Sequence, residues 1–524
     1  MDTSNSARAS FPWRYAVAGV CSALVLFTTA QAISGFFSSA SAPMVALGST
    51  IIDFTPAWLK DWAIGLFGTN DKLFLFITLG VVAAALAGIV GLVAKRSMMA
   101  GSALVLLLAA VLAASVMTRS STTLTDLVPT ALGTVLGLSA LRLLTHLARK
   151  SSSAPEAGSA SAPDSSRATA RRHFLLGTAG TVVLSVIAAG ASQALRGASN
   201  AVEAARSALG LPAAKVTVPE LPKGEDLNTV GVSRFITPNE EFYRIDTALS
   251  VPRIDPQEWV LKVHGMVENE FTLTFDELLS KDLVEHYLTL TCVSNPVGGD
   301  LVGNAKWLGY PLRELLKQAV PLPGADMVLS TSQDGFSAST PLEVLTDNRE
   351  ALLAIGMNDE PLPLEHGFPV RMVVPGLYGY VSATKWVVDL EVTRFQDKTA
   401  YWTTRGWSER GPIKMSSRIE TPRSFANLPA GKVVFGGTAW AQTTGIARVE
   451  LRIDDGPWQE AELSSTVSAD TWRQWRYEWN GATSGSHSAT VRATDANGEL
   501  QADEVAPPAP DGSSGWHRLQ FSIQ

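Results

Sequence analysis

One stretch of this 524-residue chain gathers residue types that can do chemistry: Leu288-Thr-Leu-Thr-Cys292-Val-Ser-Asn-Pro-Val-Gly-Gly-Asp-Leu-Val-Gly-Asn-Ala-Lys-Trp307. A β-rich run over 284–291 feeds straight into a cysteine. The loop after it carries Pro296, Gly298, Gly299 and Gly303, so its backbone can turn sharply and approach a ligand closely. The chain has two cysteines, and the other, Cys21, lies in an apolar N-terminal segment. Cys292 is therefore read without a disulfide partner in its own domain. A single thiol at a strand end, entering a glycine-rich loop, is a candidate metal ligand or nucleophile; on spacing alone, a buried structural cysteine is the alternative. The charged residues Arg244, Asp246, Asp334, His366, Arg371 and Lys385 each have a plain reading as well. Arg371 alternates with apolar residues and could face solvent from a strand, His366 suits a turn, and the two aspartates could fix loops.

Taken together in order, these residues carry a resemblance. Cys292-Val-Ser-Asn through Trp307, followed by Gly309-Tyr-Pro-Leu-Arg-Glu-Leu-Leu316, resembles the molybdenum-site segment of the sulfite oxidase family, and the likeness continues through most of residues 230–524. The resemblance implies that the Cys292 thiolate binds molybdenum, held also by the dithiolene of a molybdopterin. It implies that Phe242, Tyr243, Arg244 and Asp246 lie near the metal and pterin, with aspartate in place of the usual histidine. It further implies that Asp334 faces the pterin, that His366 and Arg371 contact the pterin phosphate, and that Lys385, in Lys385-Trp386, faces the cofactor. Arginine offers a planar fork to phosphate oxygens and lysine a point charge, so both types suit that task.

The departures carry information. Sulfite oxidases have an arginine five positions after the cysteine, where this chain has Val297. Their tyrosine near the metal, in a Trp-x-x-Arg-x-Tyr context, corresponds here to Trp407 in Trp402-Thr-Thr-Arg-Gly-Trp407, which makes Trp407 a candidate catalytic residue. A second substrate arginine, from the C-terminal domain, is missing from 441–445. A dianion such as sulfite needs a dense positive pocket, because burying unpaired charge is costly. A neutral or weakly charged oxo compound, such as a sulfoxide, fits the altered set better.

Elements that could position these groups are legible in the pattern. Strands are expected at 259–265, 271–274, 327–332, 335–339, 351–357, 370–374 and 385–395. Thr274-x-x-Glu277 reads as a capping box opening a short helix, and another helix is expected over 312–318. Mixed short strands and helices of this kind imply an α+β domain. After Pro422, β runs at 432–440, 446–453, 472–479 and 488–494 are separated by turns such as Asp455-Gly456 and Asn497-Gly498, which is the look of a β-sandwich. Ala439-Trp440 and Trp472-Arg-Gln-Trp475 resemble the family's immunoglobulin-like C-terminal domain, which implies homodimerisation.

The N-terminal third differs. Five apolar runs, 13–33, 72–93, 98–117, 127–147 and 174–195, approach the length needed to cross about 30 Å of hydrocarbon. Residues 43–68 are read as an outside loop with a short interfacial helix; a sixth span is the competing reading. Arg8, Arg14, Lys95, Arg96, Arg149, Lys150, Arg167, Arg171 and Arg172 cluster at alternate span ends, while Lys60 and Arg119 lie on the other side. This places the N-terminus inside and the remainder of the chain outside. Residues 151–167 form a Ser/Ala/Pro-rich linker. Arg171-Arg172-His-Phe-Leu resembles a twin-arginine export signal, an ordinary positive-inside anchor being the alternative.

The expected organisation is a membrane domain at 1–197, a tether at 198–229, an α+β molybdopterin-binding domain at 230–412 and an immunoglobulin-like domain at 413–524. A net charge of −7 with no basic stripe argues against nucleic-acid binding. No Cys-x-x-Cys-His or cysteine cluster encodes covalent haem or an iron–sulfur centre. His146 and His173, at span ends, could bind haem as a pair; interfacial placement is the plainer reading. The expected function is a multi-pass, membrane-anchored oxidoreductase with its catalytic domain outside the cytoplasm, performing oxygen-atom transfer on a small molecule. It would exchange electrons with a separate redox partner or a quinone. Sulfite dehydrogenase is the alternative reaction, and a non-catalytic tethered binding protein the alternative class.

Overall fold

The computed structural model describes residues 12–34, 37, 41–56, 59, 66, 71–118, 122, 124–152, 165–195 and 198–524. They form two compact units, one ending at Ala201 and one spanning Val202–Gln524.

The first unit is helical: α1 (Trp13–Ser34), α2 (Pro43–Phe54), α3 (Asp71–Arg96), α4 (Met98–Met117), α5 (Val128–Ser152) and α6 (Ser165–Leu195), with α7 (Ala198–Ala208) crossing into the second unit. Helix α1 packs against α3, α5 and α6. Small residues permit this. A Cβ on Gly19 would strike the carbonyl of Ala87 and one on Gly91 that of Tyr15, and, less tightly, Gly133 lies against Leu26 and Gly137 against Leu26 and Ser22. Ser22 Oγ donates to the Gly137 carbonyl at 2.7 Å, so its hydroxyl is satisfied inside the helix contact.

Among the described residues four helical stretches are long and apolar enough to cross a membrane: Trp13–Ser34, Leu73–Arg96, Met98–Met117 and Leu124–Lys150. The fifth expected span lies on α6, whose apolar stretch among those residues is the shorter Arg172–Ile187. Because α6 begins at Ser165, the arginine pair sits within a helix and not ahead of one. The expected linker is helical at both its ends, and its centre lies outside the described residues, as do Arg8, Lys60 and Arg119. Helix α2 has 12 residues, too few for a span of about 20.

In the second unit, ten strands and three short helices precede residue 413. The strands are β1 (Val260–Gly265), β2 (Phe271–Thr274), β3 (Val284–Thr291), β4 (Val302–Pro311), β5 (Met327–Ser332), β6 (Ser337–Pro341), β7 (Leu352–Met357), β8 (Glu360–Pro361), β9 (Arg371–Val373) and β10 (Val387–Thr393). They form two sheets, β2-β1-β10-β5-β6 and β3-β4-β7-β8, with β9 paired to β7. All pairs are antiparallel except β1 with β10. The helices are α8 (Phe275–Leu279), α9 (Leu312–Ala319) and α10 (Leu342–Thr346). Helix α8 opens with the expected capping box, in which Thr274 and Glu277 exchange bonds.

Strand β4 corrects the sequence reading. Gly303, expected in the loop after Cys292, lies in a ten-residue strand paired along the whole of β3. The reason is tertiary: the ring of Phe242 fills the space a side chain at 303 would take. The 198–229 stretch, expected as a tether, is packed in its described second-unit part. Val202 joins a core cluster with Trp307 and Phe368, Leu209, Leu211 and Leu221 pack on the main core, and Arg206 donates to the Leu362 carbonyl at 2.9 Å.

The C-terminal region is β-rich. It contains β11 (Ser416–Thr421), β12 (Asn427–Leu428), β13 (Gly431–Trp440), β14 (Ile446–Ile453), β15 (Gln459–Glu460), β16 (Glu462–Leu463), β17 (Arg473–Ala482), β18 (Gly485–Asp495) and β19 (His517–Ile523). Two sheets, β11-β13-β17-β16 and β12-β19-β18-β14-β15, share one apolar cluster that includes Phe435, Trp475, Val449, Leu451, Val491 and Phe521. Strands β11 and β19 escaped the sequence reading. The former precedes the apparent composition change at Pro422, and the latter is seven residues at the chain end.

Candidate active site

Strand β3 delivers Cys292 to the start of a tightly closed loop. The Cys292 N–H donates to the Leu301 carbonyl at 3.0 Å, Asn295 N–H to the Cys292 carbonyl at 3.1 Å, and Leu301 N–H to Asn295 Oδ1 at 3.0 Å. Gly298 has φ +76°, a conformation that glycine adopts without strain. The thiol is buried, and Ser294 Oγ lies 2.8 Å from Sγ. Burial pushes the Cys292 thiol up, against Ser294 and Lys385, which pull it down. Sequence reasoning passed over Ser294. Its signal was available: a hydroxyl two residues beyond a thiol in a turn can reach back to it.

Around this loop the structure assembles most of the sequence-selected residues. Asp246 is buried, its side chain 6% exposed, and its Oδ2 accepts from Lys385 Nζ at 3.2 Å and from Arg244 Nε at 2.9 Å. Lys385 Nζ also donates to the Glu365 carbonyl at 2.9 Å. Burial brings Lys385 down to about 8, with Asp246 opposing. Asp334 is bonded by Thr247 Oγ1 at 3.4 Å, and burial, with Asp246 adding to it, raises its carboxyl.

Arg371, on β9, is buried. Its guanidinium donates to the His366 carbonyl at 3.0 Å and lies 5.1 Å above the Trp307 ring. Gly367, at φ +114°, lets the chain double back so tightly that a Cβ there would sit 3.0 Å from the Arg371 Cβ and 3.2 Å from the Lys385 Cα. His366 Nε2 donates to the Asn239 carbonyl at 3.1 Å. Burial, then Lys385 and Arg371, depress this histidine to about 3, so it is neutral at physiological pH. Phe242 packs on Tyr243, Trp307 and His366 at centroid distances of 5.3, 5.9 and 5.6 Å. The Tyr243 phenol is raised by burial and then by Cys292, while Arg371 lowers it. Among the described residues the ring contacts of Trp407 are Tyr380 at 5.9 Å and Trp402 at 6.3 Å. His146 and His173, in the other unit, are both exposed.

The arrangement fits an anionic group. Among the described residues, the buried Arg371 guanidinium meets backbone carbonyls and no carboxylate, and His366 Nδ1 is buried without a hydrogen-bond partner. Such groups are costly unless something satisfies them.

Comparison with known proteins agrees. The family described as oxidoreductase molybdopterin binding domain matches residues 248–402. The chain is 29% identical over 342 residues to the mitochondrial sulfite oxidase of Rattus norvegicus, covering 55% of this chain and 62% of that protein. It is 30% identical over 165 residues to the uncharacterized oxidoreductase YuiH of Bacillus subtilis (strain 168), covering 32% of this chain and 80% of that one. Among solved structures, the sulfane dehydrogenase SoxCD of Paracoccus pantotrophus superposes with a TM-score of 0.48 at 22% identity, over 54% of this chain and 80% of that chain. The chain thus spans under two thirds of the length of the rat relative. The matched domain and its sulfite oxidase relatives imply molybdenum with molybdopterin, and the chain belongs to the sulfite oxidase family of molybdopterin-dependent oxidoreductases.

Proposed function

We propose that this enzyme transfers an oxygen atom to or from a small, neutral oxo compound, with a sulfoxide as the substrate class that suits the site best. Cys292 is the protein's metal ligand. Arg371, Lys385 and His366 hold the pterin phosphate, and Phe242, Tyr243, Arg244, Asp246 and Asp334 line the cofactor. The molybdenum centre, when bound, supplies two-electron oxygen-atom chemistry. For a sulfoxide the reaction balances with a pair of electrons and a pair of protons: the S=O bond breaks, the sulfur is reduced to a thioether, and the oxygen leaves as water. A separate redox partner in its reduced form, or a quinone in its reduced quinol form, delivers the electrons.

The observation that carries this reading is the pairing at Asp246. One buried carboxylate engages both Lys385 and Arg244, and with Val297 at the fifth position after Cys292 the pocket has less positive charge than a dianion requires. Arg244, 42% exposed at its side chain, meets Asp246 through Nε, and its outer N–H groups suit donation to a neutral S=O oxygen. Trp407 would border the substrate approach from the Tyr380 side.

A second reading, sulfite dehydrogenation, is favoured by the gathering of three cations, Arg244, Arg371 and Lys385, in one cluster. Steady-state assays with methionine sulfoxide and with sulfite on metal-loaded protein separate the two. Turnover of sulfite at the higher kcat/KM would reject the first reading, and protein lacking both molybdenum and pterin would reject both.

Four apolar helices long enough to cross a membrane, with the shorter apolar stretch Arg172–Ile187 taken as the fifth, support a multi-pass membrane anchor, with the catalytic unit on the extracytoplasmic side and Arg171-Arg172 as an export signal. The paired C-terminal sheets support an immunoglobulin-like domain that forms a homodimer.

A further inference from the structure

The loop that begins at Cys292 is held from outside by the C-terminal β region. Arg418, on β11, reaches the loop with Nη1 donating to the Gly299 carbonyl at 2.7 Å. Its own position is fixed on every side. Nε donates to Glu420 at 2.9 Å and to Thr438 Oγ1 at 3.1 Å, Nη2 reaches Ser233 Oγ at 3.2 Å, and the guanidinium lies 5.8 Å over the Trp472 ring. Ser513 Oγ donates to the Asn295 carbonyl at 2.7 Å. The His517 imidazole, whose Nδ1 accepts from Ile419 N–H at 3.0 Å, lies directly against Gly298, leaving no room for a side chain there. Three separate contacts from 413–524 thus meet three residues of one loop, at 295, 298 and 299.

A lone thiolate sets the orientation of its metal only as firmly as its backbone is fixed, and outer contacts commonly do the fixing. We propose that Arg418 and Ser513 are positioning residues for Cys292: by holding the carbonyls of Gly299 and Asn295 they lock the loop and thereby the direction from which the sulfur meets the metal. The inference rests on the reading of Cys292 as the metal ligand. The bracing itself can be measured without metal.

The test uses the full-length, detergent-solubilised protein with Ser513→Ala, Arg418→Lys and Arg418→Gln. Arg473→Gln serves as control, since Arg473 donates to the Ser464 and Ile446 carbonyls within the same β region. Hydrogen–deuterium exchange over 292–301 in cofactor-free protein should accelerate about tenfold in Ser513→Ala and more in Arg418→Gln, the size that loss of one or two such bonds supports. In metal-loaded protein the Mo(V) electron paramagnetic resonance signal should shift, and kcat should fall about tenfold while KM stays within about twofold. Arg418→Lys should recover part of each effect, and Arg473→Gln should move none of them. Ser513→Ala carries the test by itself if Arg418→Gln does not fold. Unchanged exchange, or faster exchange with an unmoved resonance signal, overturns the proposal. Wild-type protein without molybdenum would instead overturn the reading of Cys292, whatever the exchange data show.

Discussion

At the scale of single residues, the site is a problem in charge placement. Arg371, Lys385 and His366 are buried where cations are disfavoured, and burial lowers all three. A bound phosphate would reverse that cost, which is what the proposed cofactor-holding role requires of these residues. Asp246→His should therefore shift selectivity toward sulfite over methionine sulfoxide by at least about tenfold in relative kcat/KM, because a buried negative charge close to a dianion is removed. Cys292→Ser should abolish turnover while leaving the thermal melt of the fold near wild type, as steady-state assays and circular dichroism would show. His366 gives a pH prediction. Its folded value near 3 lies below the unfolded value near 6.5, so the unfolded state binds more protons between them. Cofactor-free protein should lose stability as pH falls from about 6.5 toward 3, and His366→Gln should flatten that side of the denaturant-midpoint profile.

At the scale of elements, glycines are used to bring side chains together. Gly367 turns the chain at φ +114° so that Arg371 and Lys385 converge on one pocket. Gly367→Ala is expected to cost about 1–3 kcal/mol and to lower cofactor content, both readable by denaturant titration and metal analysis. The capping box of α8 offers a contrast. Thr274→Ala should cost about 1 kcal/mol and leave molybdenum content unchanged, because α8 packs on β2 and on Trp259. Local chemistry made the capping box legible from sequence. Strand β4 was only half legible. Its Gly303 reads as a loop residue by propensity, and only the ring of Phe242, 61 positions earlier, explains why a glycine stands in that strand.

At the scale of the whole molecule, one chain joins an apolar helical unit to a β-rich unit that carries the redox site. The helices of the first unit expose much of their apolar surface, as Leu107, Val135, Leu184 and Ile187 show, which is the face a bilayer would cover. A reporter fused after Gln524 should be active only outside the cytoplasm if five spans operate; activity only inside would invert the topology. Gly19→Leu, which would drive α1 from α3 at Ala87 and Gly91, should reduce the amount of intact protein recovered from membranes and leave the catalytic unit's family-defining fold untouched.

Residue types and their order already carried much of the picture: a thiol at a strand end, cations spaced along the chain in the family's order, the apolar runs, the capping box and most strand positions. Each of these is set by residue type and near-neighbour pattern, which is why it can be read in one dimension. Tertiary structure decided what distant residues do to one another. It tied Asp246 to Lys385, placed Ser294 at the thiol, packed residues 202–229 onto the core, kept Trp407 with Tyr380 and Trp402, and carried Arg418 and Ser513 to the cysteine loop. Those pairings depend on which surfaces face each other once apolar area is buried. That is a global balance between packing and chain entropy that no short window of sequence contains.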